Sequence, residues 1–88
     1  MSEKYSNFPE VITVFSANWC PDCRRAKQLL EDKKVAYQLV DIGKDNDAFL
    51  FVEKLTKRIK IPTVIFPDGT IMIEPSNESL AIKLESLP

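Results

Sequence analysis

Residues 11–27, "VITVFSANWCPDCRRAK", hold both cysteines of this 88-residue chain, and a change of pattern within them decides the fold. Val11 to Phe15 are apolar at nearly every position and rich in β-branched and aromatic side chains. That composition suits a strand buried on both faces, as in a parallel sheet covered by helices. From Pro21 to about Lys33 the period becomes helical. Cys23, Ala26 and Leu30 share one stripe with Leu29 beside them, while Arg24, Arg25, Lys27, Gln28, Glu31 and Asp32 face outward. Pro21 fits the first turn of a helix, where no backbone N–H is needed. A buried strand therefore runs into a helix whose opening residues are Cys20-Pro21-Asp22-Cys23.

The rest of the chain extends this unit. "VAYQLVDI" (Val35 to Ile42) alternates and predicts a second strand. Gly43 and "KDND" break it, and Asp45 or Asn46 caps a helix through "AFLFVEKLTKR". Phe49, Val52 and Leu55 form its inner face, with Ile59 continuing it. Phe49, Leu50 and Phe51 cannot all point inward, so at least one lies under a loop or on a contact surface. Thr63 to Phe66 and Thr70 to Ile73 flank "PDG" and predict an antiparallel hairpin. Ser76 or Asn77 caps a last helix that turns Leu80, Leu84 and Leu87 inward, and Tyr5 and Phe8 pack the N-terminal segment. The order is strand, helix, strand, helix, strand, strand, helix: one domain over residues 1–88. Its first two strands are parallel, and helices cover both faces of a four-stranded sheet.

Composition narrows the function. Twelve basic and thirteen acidic residues give a net charge of -1, with no single-sign field to recruit nucleic acid or an anionic membrane. The longest apolar runs are far too short for a bilayer, and "MSEKYSNFPE" lacks the basic-then-apolar order of a secretory signal. A cytoplasmic location is expected, where a cysteine pair is more often catalytic or metal-binding than a staple.

Three chemistries compete for Cys20 and Cys23. A structural disulfide would close a loop of two residues and gain little. A zinc site wants four ligands, and the chain has no histidine and no second cysteine pair. A metal or iron–sulfur cluster shared by two chains through Cys20 is the alternative that stays open. The redox reading has a direct cause. Amides at a helix N-terminus point outward at the positive end of the dipole and favour a thiolate at Cys20. Arg24 and Arg25 add positive charge, and Asp22 opposes them under solvent screening. Cys23, one turn further and on the apolar stripe, stays a thiol until it attacks Cys20 and resolves a mixed disulfide. Trp19, in an exposed loop, offers a substrate a platform.

At this point "VFSANWCPDC", "IPTVIFPDGT" about forty residues later and a short capped last helix resemble the glutaredoxin branch of the thioredoxin superfamily, from Val11 to Leu87. The resemblance implies a thioredoxin-like α/β fold of order βαβαββα and thiol–disulfide oxidoreductase activity on disulfide-containing proteins or small disulfides. It places the active site on Cys20, Pro21, Asp22 and Cys23. It puts a cis-proline at Pro62, with Ile61 offering backbone N–H and C=O to the bound thiol. It puts further substrate contacts at Ser76, Asn77 and Glu78.

Two positions depart from the glutathione-dependent pattern. Ala17 stands where a basic residue is usual, and "EPSNES" stands where a Gly-Gly pair is usual. Trp19 and the Pro-Ser before the last helix are closer to mycoredoxin-type members. Lys57, Arg58 or Lys60 is then left to hold one carboxylate of a small thiol. The amides of Asn77, Glu78 and Ser79 would meet another, and Glu78 the amine. The implied co-substrate is glutathione, weakly held, or another low-molecular-weight thiol. No bound cofactor is implied, and the reductant is that thiol or a flavoprotein reductase acting on a monomer. Cluster-binding relatives tend to lack a proline at the position of Pro21.

Overall fold

Four β-branched or aromatic neighbours in a row, Ile12 to Phe15, favour an extended chain, and β1 (Ile12–Ser16) is buried at all five positions. A computed structural model describes residues 5–87. In it β1 pairs in parallel with β2 (Tyr37–Asp41), Val14 opposite Leu39, and antiparallel with β3 (Thr63–Ile65), Val14 opposite Val64. β3 pairs antiparallel with β4 (Ile71–Ile73), giving one mixed sheet of order β2-β1-β3-β4. The helices are α1 (Pro21–Asp32), α2 (Asn46–Thr56) and α3 (Asn77–Glu85). Element order and sheet type match the expectation from sequence.

Alternation along the strands builds two cores. On one face Phe15, Val40 and Ile65 pack with Ala48 and Val52 of α2. On the other Val14, Val64 and Phe66 pack with Ala26 and Leu30 of α1 and Leu80 and Leu84 of α3. Cys20 and Cys23 belong to the α2-side cluster together with Ala17 and Ile61, so the thiol pair is anchored where α1 leaves the sheet. Tyr5 packs edge-on against Phe15, and its hydroxyl donates to Asp45. Phe8 is exposed instead of packed, with its ring over Gly69. Gly69 has φ +90°, and an added Cβ would meet that ring at 2.5 Å. Of the three consecutive large residues on α2, Leu50 is the one that faces solvent.

Boundaries moved by one to two residues. β1 begins at Ile12 and extends to Ser16, because Val11 is exposed and Ser16 is not. α2 stops at Thr56 and not Arg58, since Lys57 turns left-handed (φ 67°) and leaves Ile59 outside the helix. Leu87 lies beyond α3 and is only partly buried. The hairpin turn is tied to α3 by Lys83, whose Nζ is 2.7 Å from Asp68 Oδ2 and 5.2 Å from the centre of the Phe66 ring.

α1 ends in a six-to-one pattern: the Val35 amide donates to Leu30 O at 3.1 Å and the Lys34 amide to Glu31 O at 3.0 Å. That pattern needs a left-handed residue, and here it is Lys34 at φ 57° where glycine is usual. Lys34→Gly is expected to raise stability by about 1 kcal/mol. Lys33→Gly, at a right-handed position that also pairs with Glu85, is expected to lower it by about 0.5–1 kcal/mol. Urea melts that moved both variants in the same direction would contradict this account of the helix end.

Candidate functional site

The strand-to-helix junction is built around a sulfur. Cys20 is the N-cap of α1, with extended backbone, and its Sγ accepts the Cys23 amide at 3.1 Å. Caps are ordinarily Ser, Thr, Asp or Asn, so a thiol here takes a role normally given to oxygen. The Cys20 amide in turn donates to Ala17 O at 3.2 Å, and the Arg24 side chain closes the loop through Asn18 O at 3.3 Å. Pro21 occupies the first helical position.

A second segment faces the same sulfur. The Ile61–Pro62 bond is cis, and Ile61 O lies 3.9 Å from Cys20 Sγ, within reach of its thiol proton. Both cysteines are free thiols, Cys20 6% and Cys23 3% exposed, whereas the neighbouring Trp19 is 68% exposed. Burial, and then the hydrogen bond to Cys20, push the Cys23 thiol up to about 12. The inner thiol therefore holds its proton at neutral pH.

The basic residues that precede Ile61 are fixed from beneath. The buried hydroxyl of Thr63 donates to Lys60 O at 2.6 Å, and the buried hydroxyl of Thr56 reaches Val52 O and Arg58 O. Lys57, Arg58 and Lys60 are exposed on the segment so held. Ala17 is buried in the core, so a lysine there would have to displace packing before it reached solvent.

At the start of α3, Ser76 is the cap and its Oγ accepts the Ser79 amide at 3.0 Å. That corrects one expectation: the Ser79 amide is already engaged, which leaves those of Asn77 and Glu78 for a ligand. Helical periodicity alone puts Arg25 among the outward charges beside Cys20. Arg25 is half-buried, and its guanidinium donates to Asn77 Oδ1 at 2.6 Å and to Pro75 O at 3.3 Å. Partners fifty residues apart leave no mark in local periodicity, and nothing short of the tertiary fold would have found that link. Thr56 and Thr63 were likewise missed, although a threonine beside Pro62 is visible in "IPTV". Among the described residues, no group of three or more His, Cys, Asp or Glu side chains is placed to hold a metal ion, and no helix is long and apolar enough to cross a membrane.

The glutaredoxin family model matches residues 12–71. A candidate glutaredoxin of Mycobacterium tuberculosis is 34% identical over 74 residues, spanning 83% of this chain and 88% of its own. Mycoredoxin 1 of Corynebacterium glutamicum is 31% identical over 77 residues, spanning 86% and 95%. Among solved structures, a mutant of the thioredoxin-like protein BC3987 superposes with a TM-score of 0.78 at 27% identity, covering 88% of this chain and 97% of that one. The fold is a thioredoxin-like α/β fold. Matched from the strand before the cysteine pair through the hairpin turn, and nearly end to end by its relatives, the chain belongs to the glutaredoxin family.

Proposed function

We propose that the chain is a dithiol oxidoreductase in which Cys20 is the nucleophile and Cys23 the resolving thiol. The observation that carries this is the asymmetry of the pair. Both are buried, but one sulfur caps the helix and accepts an amide, while the other is held as a thiol and keeps its proton. The Cys20 thiolate attacks one sulfur of a substrate disulfide, expelling the other half as a thiol and leaving a Cys20–substrate mixed disulfide. Cys23 gives up its proton and attacks Cys20 Sγ. The second half leaves as a thiol, and two electrons have passed from the dithiol to the substrate. The resulting Cys20–Cys23 disulfide is reduced again by glutathione, another low-molecular-weight thiol, or a flavoprotein reductase. Cycling of this kind belongs in a reducing compartment such as the cytoplasm.

Disulfide proteins and small mixed disulfides are the substrates in this reading. Trp19 gives them an apolar platform beside Cys20, and Pro21 and Asp22 form the rim of the site. Ile61, next to Pro62, gives the incoming thiol its backbone groups. Lys60 meets one carboxylate of a small thiol, and the Ser76-Asn77-Glu78 turn meets the other. No observation favours the alternative of a cluster shared through Cys20.

Cys20→Ser is expected to lower turnover of insulin or a small disulfide by roughly 10³-fold or more. Cys23→Ser is expected to accumulate a mixed disulfide visible by mass spectrometry; full turnover in the first variant would refute the assignment. Lys60→Ala should raise KM for a glutathione mixed disulfide about tenfold, since a charged contact is lost. Unchanged KM would remove Lys60 from the pocket.

The titration of Cys23 makes a further prediction. Its folded value lies near 12 against an ordinary 9.0, so the native state holds the proton more tightly than the unfolded chain. The stability it contributes is complete below pH 9 and is lost as pH rises from there toward 12. In reducing buffer the urea midpoint of the wild type should fall faster over that range than that of Cys23→Ala. Parallel curves would show that Cys23 is not held this way.

A further inference from the structure

Arg25 joins three oxygens from two parts of the chain. Nη1 donates to Asn77 Oδ1 at 2.6 Å, Nη2 donates to Pro75 O at 3.3 Å, and Nε stands 3.5 Å from Asp22 Oδ1. Asp22 lies between the two cysteines; Pro75 and Asn77 flank the cap of α3, fifty residues downstream. Along their length α1 and α3 are held by apolar packing, with Ala26 and Leu30 in one cluster with Leu80 and Leu84. Such packing tolerates sliding and rotation of one helix on the other. At their first turns the polar link is a planar fork, which fixes both distance and angle. The bond to Pro75 O is part-buried and partly shielded from water, whereas those to Asn77 and Asp22 lie at the surface.

We propose that Arg25 is a positioning residue. It sets where the start of α3 stands relative to the thiol-bearing start of α1, and thereby the affinity for a low-molecular-weight thiol at the Asn77-Glu78 amides. This rests on the thiol reading given above. Asp22 orients the fork from its third side, and being well exposed it contributes direction more than energy. Lysine cannot replace arginine here, because one ammonium cannot reach the Asn77 side chain and the Pro75 carbonyl in the same fixed plane.

The test combines kinetics on the mixed disulfide of glutathione and 2-mercaptoethanol with amide hydrogen exchange. Arg25→Gln and Arg25→Lys should both raise KM about tenfold, with kcat changing far less. Asn77→Ala should raise KM similarly, and adding Arg25→Gln to it should change little, because both remove one link. Exchange of the Ser79 and Leu80 amides, which donate to the Ser76 hydroxyl and carbonyl at the start of α3, should accelerate in both Arg25 variants, with β1 amides unchanged as the check on folding. Unchanged exchange at those two amides, a lysine variant indistinguishable from wild type, or fully multiplicative effects of Arg25→Gln and Asn77→Ala would each overturn the proposal. Accelerated exchange with unchanged KM would keep the clamp and overturn the thiol reading of the turn instead.

Discussion

The rest of the site depends on one bond, the Cys23 amide to Cys20 Sγ. A helix start leaves backbone donors without partners, and a side-chain cap that satisfies one is worth about 0.5–2 kcal/mol. In the proposed reading the capping atom is also the reactive atom. Folding and the proposed chemistry therefore share a group: the amide that holds the first turn of α1 donates to the sulfur proposed to attack. The same turn carries Cys23 three residues on, buried like Cys20 and close to the sulfur that it would resolve. Neither arrangement survives if the helix begins one residue earlier or later, and Pro21 at the first helical position keeps it from doing so.

Everything else positions groups around that atom. β1 brings the chain to it, and the segment before β3 puts Ile61 O beside it. Two buried threonines hold the carbonyls of Arg58 and Lys60, so the exposed cations of that segment stand on a fixed backbone. Arg25 joins α1 to the cap of α3 from the other side. Both supports include part-buried hydrogen bonds to main-chain oxygen, and Arg25 adds an exposed one to the Asn77 side chain. Such bonds set geometry at modest net stability, as a site must when its ligands are small and its contacts few.

How much of this was legible follows from the range of each signal. The 2-residue and 3.6-residue periods made β1 and α1 readable, and the Pro-Asp-Gly turn gave the hairpin. The cysteine pair could be placed because its meaning depends only on the helix start beside it. Misplaced residues fall where local propensity lost to tertiary context. Ser16 joins the strand because the sheet continues past the apolar run, and Lys57 ends α2 by taking a left-handed conformation that its residue type does not announce. The Arg25 clamp was unreadable, since an arginine on the polar side of an amphipathic helix looks like any solvated charge until α3 is brought against it. Burial of Ala17 was hidden for a similar reason: only the packed core shows that the position leaves a longer side chain no room.

The central claim is that two cysteines three positions apart differ in kind, one reactive and one held in reserve. Brief treatment of the reduced protein with a limiting amount of iodoacetamide at neutral pH, followed by peptide mapping, tests it most directly. The account predicts label on Cys20 with Cys23 left unmodified. Label on Cys23 first, or equally on both, would contradict it.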